Sequence, residues 1–475
     1  MSSHNSKKRK RGVVLHQAKD DQIVDTAKPT AVFRAPGIGR KHTLSIALPG
    51  SVMSSRPTHE LKSVLAGQIA RAASVFSVDE IIIFNDGQSQ PRHRANPVKG
   101  NPRQDIPASS HENDPSFTGV SDPDRFLFHL LTYLEAPPHL RKWLFHMHAN
   151  LRFAGLLPSL DLPHHLRADE WCEFREGVTY AVPVNEKEEK RKRNRKSNEK
   201  KKRSKAKRQK RNHARPTDGS DDEQIDSDDE EEEDEEKDPK TLVEVGFPLP
   251  LSLPVDIPPD TRVTLQLSRD PPLGFSFGSF ATRKDEDSGV ETSDIEATTI
   301  NPNTPREEQG FYWGYSVRQA ASLSSVFTEC PYDGGYDVSI GTSERGKALQ
   351  DVLPSHFGGR MSSSSHANTN GDKDKMDEDG KLPSKYTHLL LVFGGLAGLE
   401  AAASADPKLA DKGIKAGNVG DLFDAWVDLV PGQGSRTIRT EEAVWVGLGA
   451  VRGYVLGCGA GDDEGDVDGE ENGGG

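Results

Sequence analysis

The amino-acid sequence predicts an α/β protein whose parallel sheet, flanked by helices, is interrupted by a small antiparallel β-barrel. Three observations support this prediction. Strand and amphipathic-helix patterns alternate near both ends of the chain, short strand patterns without helices fill its middle, and charged segments separate these regions. Because only 33% of the 475 residues are hydrophobic, part of the chain is expected to stay outside any packed core.

The first strand and helix follow a basic tail, residues 1–40, which we expect to be disordered. Residues 42–52, HTLSIALPGSV, are rich in strand-forming side chains and end in Pro-Gly, which predicts a buried strand and a turn. Apolar residues recur at helical spacing over residues 58–77, with Thr58 as a candidate N-cap. Residues 78–86, VDEIIIFND, predict a second strand, so the series predicts a parallel βαβ unit.

The next segment completes the N-terminal half of the α/β domain, which we assign to residues 41–155. Residues 87–121 are polar and proline-rich and predict a loop. A helical pattern over residues 124–148 is broken at Pro137 and Pro138, because proline lacks a backbone donor and clashes with the preceding turn.

Residues 156–309 have a different pattern and predict a small barrel of the oligonucleotide-binding (OB) type. Short strand patterns occur at residues 173–184, 241–249, 261–268 and 275–282. No convincing helical pattern lies between them, which is typical of an antiparallel barrel. The barrel would therefore interrupt the α/β domain as an insert.

A charged insertion at residues 185–240 lies between the first two of these strands and is expected to be disordered. Residues 187–215 hold seventeen lysines and arginines, and residues 218–238 hold fifteen aspartates and glutamates. The blocks nearly cancel, so the net charge of −13 does not describe the surface of the folded part. The basic block and the KKRKR cluster near the N-terminus predict a nuclear protein, with a solvated charge run as the alternative.

The α/β pattern returns over residues 310–456, the predicted C-terminal half of the domain. A helix is expected within residues 310–327, followed by a strand at YDVSIGTSERG, a disordered loop at 358–380 and a strand at 388–395. A last helix is predicted over residues 441–451, and residues 457–475 are expected to be a disordered acidic and glycine-rich tail.

Several features exclude other classes of protein. The three cysteines are far apart, which argues against a disulfide framework or a zinc site and favours a reducing compartment. His164 and His165, with Asp161, make only a weak metal-site pattern, so no metal is predicted. No apolar run approaches the roughly 20 residues that cross a bilayer, so no membrane association is predicted.

Three glycine-containing loops are each expected to follow a strand: IGTSERG (340–346), FGGLAGLE (393–400) and PGQGSRTIRTEEA (431–443). Ligands bind beyond the carboxyl ends of parallel strands, so the three loops would converge on one pocket. Arg436 and Arg439 are then free to face a phosphate or a carboxylate. The alternative for each loop is a helix-packing glycine or a simple turn.

The chain resembles a known family through motifs that occur in the family's order: LPGSV, LAGQIARAASVFSVDEIIIF, FAGLLPSLDLPHHLR, EFREGV, GFYWGYSVR, GYDVSIGTSERG, LLLVFGGLAGLE and PGQGSRTIRTEEA. This family is the SPOUT-class (α/β-knot) RNA methyltransferases, in the subfamily named in animals for a centromere protein. The resemblance covers most of residues 42–177 and 310–452. It implies a trefoil knot in the parallel sheet, an OB-like insert, S-adenosylmethionine as cofactor and a homodimer.

The resemblance also implies the cofactor-binding residues, which are assigned by their positions in the three loops. The adenosine would be wrapped by Gly432, Gln433, Gly434 and Ile438. The adenine edge would meet Asp428 and Leu429. The ribose would be flanked by Gly394, Gly395 and Leu396, and the methionine end by Thr342, Ser343 and Arg345.

Four residues are candidates for catalysis. Arg345, Arg436 and Arg439 would hold RNA phosphate or stabilise a deprotonated base, with salt bridges to nearby glutamates as the alternative. Glu441 is a candidate general base, with compensation of the helix N-terminal charge as the alternative. An aromatic cluster at residues 311–315 would either stack on unpaired bases or pack in the core.

The expected function is S-adenosylmethionine-dependent methylation of a base nitrogen in structured RNA. The family suggests ribosomal RNA as the substrate and a uridine as the target. The expected location is the nucleus, most specifically the nucleolus. The alternative function is a non-catalytic RNA-binding or spindle- and kinetochore-associated scaffold that keeps the knotted fold.

Overall fold

The computed structural model describes residues 38–88, 116–168, 170–180, 241–248, 250–271, 295–354, 357 and 381–458. Most of the predicted N-terminal tail, the charged insertion, the strand at 275–282, the loop at 358–380 and nearly all of the C-terminal tail lie outside these residues. The structure therefore does not test the predictions made for these residues.

The described residues form eleven strands: β1 (Thr43–Pro49), β2 (Glu80–Phe84), β3 (Phe174–Tyr180), β4 (Thr241–Glu244), β5 (Leu251–Leu253), β6 (Arg262–Leu267), β7 (Ala297–Ile300), β8 (Ser316–Ala320), β9 (Val338–Ala348), β10 (His388–Val392) and β11 (Ala425–Asp428). Nine α-helices accompany them: α1 (His59–Val75), α2 (Pro123–Glu135), α3 (Arg141–Leu144), α4 (Thr304–Gln309), α5 (Leu323–Thr328), α6 (Leu349–Val352), α7 (Gly398–Ala405), α8 (Pro407–Asp411) and α9 (Thr440–Cys458).

Six strands form one parallel sheet in the order β11-β9-β10-β1-β2-β8. Every residue of β1 and β2 is buried, as expected for central strands whose two faces are both covered. Helices α1, α2 and α9 pack on one face, which we call the α1 face. Helices α5, α7 and α8 pack on the other, the α7 face. The prediction of a parallel sheet flanked by helices is confirmed.

The first βαβ unit has the predicted order, and each element is shorter than predicted by one to three residues at either end. The Thr58 hydroxyl accepts a hydrogen bond from the Leu61 amide at 3.4 Å, so Thr58 is the N-cap of α1. Asp122 caps α2 in the same way through the Arg125 amide, at 3.0 Å. Helix α2 ends at Glu135, just before the two prolines that predicted a break.

The predicted helical patterns differ from the structure in two places. After the prolines only α3 is α-helical, and residues 145–148 form no helix or strand. Within residues 310–327 the expected helix is present only as the short α5, and β8 comes before it. In both places tertiary pairing or packing overrides a short local pattern. Helix α9 also runs seven residues beyond the predicted end, to Cys458, and so enters the predicted tail.

Five strands form a separate antiparallel sheet in the order β5-β4-β3-β6-β7. Three predicted strands, at residues 173–184, 241–249 and 261–268, contain β3, β4 and β6. The sequence did not predict β5 or β7. The sheet has its own apolar cluster, which includes Val243, Leu251 and Leu265.

The aromatic cluster before β8 packs in the interior. The Trp313 indole donates to Glu176 Oε1 at 2.7 Å, and the hydroxyls of Tyr312 and Tyr315 donate to the carbonyls of Val78 and Leu131. Of the two alternatives for this cluster, the structure shows core packing rather than a surface open to RNA bases.

Candidate functional site

A cavity of about 650 Å³ opens at the carboxyl ends of four neighbouring parallel strands, β1, β9, β10 and β11. It is the kind of position at which α/β sheets bind ligands, and its volume lies within the range of small-molecule sites, about 300–1,000 Å³. The loops that build it come from four separate parts of the sequence.

The wall from β9 is a bulge, not a loop after the strand as the sequence predicted. Gly341 pairs with Trp426, and the next pair in the ladder is Lys347 with Val427, so residues 342–346 leave the ladder. The Thr342 hydroxyl holds the bulge against the end of β10 by donating to the Val392 carbonyl at 3.0 Å. The bulge turns Thr342 and its neighbours into the cavity.

The wall from β10 is the tight turn from Gly394 to Gly398. A Cβ atom on Gly394 would come within 3.0 Å of the Gly398 backbone, so a side chain at this position would displace the turn. The Thr440 hydroxyl donates to the Gly394 carbonyl at 3.0 Å and ties the start of α9 to this turn. Leu396, at the tip of the turn, is exposed inside the cavity.

The wall from β11 is the PGQGSRT loop. The Asp428 carboxylate accepts from the Val430 amide at 2.9 Å, and the Gln433 amide donates to the Val430 carbonyl at 3.0 Å. Gly432 has a φ of 74°, which favours glycine. Gly434 has open space around it, since a Cβ atom added there would meet no neighbouring atom within 4 Å.

Two ion pairs cross the cavity wall. Arg345 lies 3.4 Å from Glu400 and is largely exposed. Arg56 contacts the buried Glu441 carboxylate at the start of α9. In the described part of the chain, the guanidinium groups of Arg436 and Arg439 form no ion pair. These two cations are therefore available to a ligand.

Most of the residues singled out from the sequence line this one cavity: Thr342, Ser343, Arg345, Gly394, Gly395, Leu396, Asp428, Leu429, Gln433, Arg436, Ile438, Arg439 and Glu441. Gly432 and Gly434 lie on the same loop but are not among the lining residues.

The sequence did not predict the wall that follows β1, where Val52, Ser55 and Arg56 line the cavity. Glu400 and Thr440, which also line it, were not predicted either. The rule that ligands bind at the carboxyl ends of parallel strands would have pointed to the β1 turn. That turn contains only one glycine, which is a weak sequence signal for a ligand-binding loop.

The paired histidines both contact one backbone carbonyl group. His164 and His165 both donate to the Glu135 carbonyl, at 3.1 and 2.7 Å, and burial lowers the pKa of His165 to about 3. Within the described ranges, no group of three or more histidine, cysteine or acidic side chains could hold a metal ion. None of the helices described is long and apolar enough to cross a membrane.

The fold and the cavity define an α/β protein with a cavity at the carboxyl ends of a parallel sheet, lined in part by Arg436 and Arg439. The particular family follows from comparison with known proteins. The chain belongs to the family described as "Putative RNA methyltransferase", whose family profile matches residues 43–451.

Three relatives carry the name 28S rRNA (uridine-N(3))-methyltransferase. The protein from Homo sapiens is 33% identical over 94% of this chain and 87% of its own length. The protein from Mus musculus is 33% identical over 87% of this chain and 77% of its own length. The protein from Drosophila melanogaster is 31% identical over 92% of this chain and 67% of its own length.

Proposed function

We propose that this RNA methyltransferase uses S-adenosylmethionine to methylate the N3 atom of a uridine in 28S ribosomal RNA. The observation that carries the proposal is the convergence of three sequence-distant loops on one cavity. Thirteen residues singled out from the sequence line that cavity. The names of the relatives from Homo sapiens, Mus musculus and Drosophila melanogaster supply the substrate and the atom.

The residues of the cavity fit S-adenosylmethionine. Leu396, Leu429 and Ile438 offer apolar surface to an adenine ring, and the Gly394–Gly395 backbone can approach a ribose closely because no side chain intervenes. Glu400 and Asp428 supply carboxylates to the polar groups of the cofactor. We assign the adenosine to the loop after β11 and the methionine end to Thr342, Ser343 and Arg345. Gly432 and Gly434 would shape the adenosine loop rather than line it.

When bound, S-adenosylmethionine supplies an activated methyl group on a sulfonium. The task left to the protein is to orient the uridine and to remove the proton from N3. Glu441 is proposed to accept that proton, because its carboxylate lines the cavity and the Arg56 guanidinium fixes its orientation. Arg345, Arg436 and Arg439 are proposed to hold the RNA backbone and the negative charge that develops on the base.

Two finer features of the fold are also proposed. After β11 the chain passes the β10 turn, where Thr440 binds the Gly394 carbonyl, and then enters α9 on the α1 face. This path supports a trefoil knot around that turn. The antiparallel sheet supports an OB-like insert at residues 156–309, which divides the methyltransferase domain into residues 41–155 and 310–456.

A homodimer is proposed from an exposed apolar surface on α1 and α9. Leu61, Val64 and Val75 recur on the outer side of α1 at intervals of three or eleven residues. Trp445 and Leu456 are likewise exposed on α9. The Trp445 ring contacts Phe76 at the end of α1, with ring centroids 5.8 Å apart. Exposed apolar side chains at helical spacing mark an interaction surface.

Replacing Trp445 by glutamate is expected to convert the dimer to a monomer, because a charge would be buried in the apolar interface. Light scattering coupled to size-exclusion chromatography measures the mass. Val255, an exposed apolar residue after β5, provides the control substitution Val255→Glu, which should leave the mass unchanged. A monomeric wild type would contradict the proposed dimer.

Nuclear and nucleolar location is proposed from the nature of the substrate and the basic clusters in the sequence. The enzymatic function is tested by incubating the purified protein with labelled S-adenosylmethionine and unmodified 28S rRNA, followed by nucleoside mass spectrometry. We expect N3-methyluridine at one position. No methyl transfer to any RNA by a folded protein that binds RNA would instead favour the scaffold function.

A further inference from the structure

The segment between α2 and the antiparallel sheet has an unusual charge distribution. Residues 136–160 contain no aspartate or glutamate, in a chain with a net charge of −13. Lys142, His146 and Arg152 are all exposed in this segment. Arg141 is not available in the same way, because its guanidinium donates to the carbonyls of Leu134 and Ala136 and closes the end of α2. We call residues 141–153 the basic–aromatic segment.

Aromatic rings alternate with these cations. Trp143 is stacked on Tyr180, with centroids 5.4 Å apart and ring planes inclined by 15°, and both rings are half-buried. The Lys142 ammonium lies 5.2 Å from the centroid of the Trp143 ring. Phe145 is stacked on His129, with centroids 6.0 Å apart and an interplanar angle of 19°. The Trp143–Tyr180 pair therefore lies beside positive charge.

The extended part of the segment carries the most exposed apolar side chain of the described residues. Residues 145–148 form no helix or strand, and Met147 is fully exposed. Beside it, His146 is also exposed. A large apolar side chain exposed to water, with Lys142 and Arg152 on either side of it in the sequence, suits a ligand that is both planar and anionic.

The basic–aromatic segment also connects the antiparallel sheet to the neighbourhood of the cavity. At one end, Tyr180 is the last residue of β3 in the antiparallel sheet. At the other end, Phe153 and the Asn150 carbonyl contact His59, with a ring distance of 4.7 Å and a hydrogen bond of 3.1 Å. His59 begins α1 three residues after Arg56, which lines the cavity.

We propose that the basic–aromatic segment binds single-stranded RNA and guides it from the antiparallel sheet to the cavity. Proteins that bind unpaired strands combine cations for the phosphates with aromatic faces for the bases. Lys142 and Arg152 bind phosphates, and the rings of Trp143 and Phe145 stack on bases. The inference rests on the proposed function for its choice of RNA as the ligand.

The test uses the full chain and a fluorescein-labelled 12-nucleotide RNA of mixed sequence, single-stranded or in a duplex, with anisotropy as the readout. Lys142→Glu with Arg152→Glu is expected to weaken single-strand binding at least tenfold at 100 mM salt. The slope of log affinity against log salt should also become shallower by about 1.4, because two phosphate contacts are lost at about 0.7 each. Phe145→Leu should weaken binding at least fivefold with little change in that slope.

The matched control is Lys408→Glu with Lys412→Glu. Both lysines are exposed at α8 on the α7 face, and the change in net charge is the same. The control should bind RNA within twofold of the wild type. Equal weakening in the control would overturn the proposal, as would equal effects on single-stranded and duplex RNA. Unchanged RNA binding by the Lys142→Glu/Arg152→Glu variant and by Phe145→Leu would also overturn the proposal. The surface would then be assigned to a protein partner.

This test is separable from the test of the proposed function. The charge variant should bind S-adenosylmethionine with wild-type affinity, because neither Lys142 nor Arg152 lines the cavity. If the wild type binds single-stranded RNA through this segment but transfers no methyl group, the RNA-binding role of the segment is supported and the enzymatic proposal is contradicted. If the charge variant keeps full RNA binding and methylation, the enzymatic proposal is supported and the RNA-binding role of the segment is contradicted.

Discussion

Replacing Arg262 by alanine will lower the free energy of unfolding by about 3–5 kcal/mol, because it leaves two buried carboxylates without their charged partner. Arg262 donates to Glu135 at 2.6 and 3.0 Å and to Glu176 at 2.7 Å. Both carboxylates are almost completely buried. Glu135 ends α2 and Glu176 lies in β3, so one guanidinium joins the helix layer to the antiparallel sheet.

Urea unfolding at pH 7, followed by tryptophan fluorescence, measures this effect. Arg125→Ala is the matched control, because Arg125 is an exposed arginine on α2, and its removal should cost no more than about 0.5 kcal/mol. A loss below about 1 kcal/mol for Arg262→Ala would mean that water replaces the guanidinium and that the junction does not depend on this pair.

The stability of this junction will respond to pH in opposite ways in the wild type and in the Arg262→Ala variant. Burial alone would raise the pKa of the Glu135 carboxyl, but the charge of Arg262 and a hydrogen bond from His164 outweigh it and hold that pKa below its ordinary value. A lowered pKa contributes stability above the unfolded-state value of about 4.3, and this contribution is lost as the pH falls. In the Arg262 variant the buried Glu135 carboxyl loses the charge that lowers its pKa, so it gains from protonation and the loss of stability should shrink between pH 7 and pH 5.

Replacing Glu441, the proposed general base, by glutamine is expected to lower the rate of methyl transfer by about 10²–10⁴-fold, because an amide cannot take the proton from the base nitrogen. Cofactor affinity should change little, since the substitution keeps the shape of the side chain. Single-turnover kinetics with saturating RNA and S-adenosylmethionine measure the rate.

The adjacent Glu442→Gln is the matched control for this effect. Glu442 is exposed and does not line the cavity, and it accepts from the Arg439 amide at 3.0 Å, which a glutamine oxygen can also do. Its rate should stay within a fewfold of the wild type. A similarly small effect for Glu441→Gln would assign Glu441 to charge compensation at the start of α9, together with Arg56.

The α/β core could be predicted because its elements follow local rules. Strand β1 is apolar throughout most of its length, α1 has helical periodicity after a threonine N-cap, and α2 stops at two prolines. Strands β5 and β7, of three and four residues, could not be found because such short segments gain their stability from pairing with β4 and β6.

The cavity could be predicted only in part. Loops rich in glycine identified the walls from β9, β10 and β11, but the bulge in β9 depends on a register shift against β11 that no local pattern encodes. Arg56 was missed because its role depends on Glu441, which lies 385 residues further along the chain. Pairs this distant in sequence become visible only when the sheet brings them together.

The central claim, that the cavity at the sheet edge binds S-adenosylmethionine, is tested most directly by calorimetric titration of the purified protein, with and without RNA. We expect one site per chain in the wild type. Ile438→Lys should weaken binding at least tenfold, because it places a charge on the apolar wall proposed for the adenosine. The control is Val120→Lys, at an exposed apolar position that does not line the cavity, and this variant should bind the cofactor as the wild type does. A folded wild type that fails to bind in both conditions, or an Ile438→Lys variant that binds with full affinity, would contradict the claim.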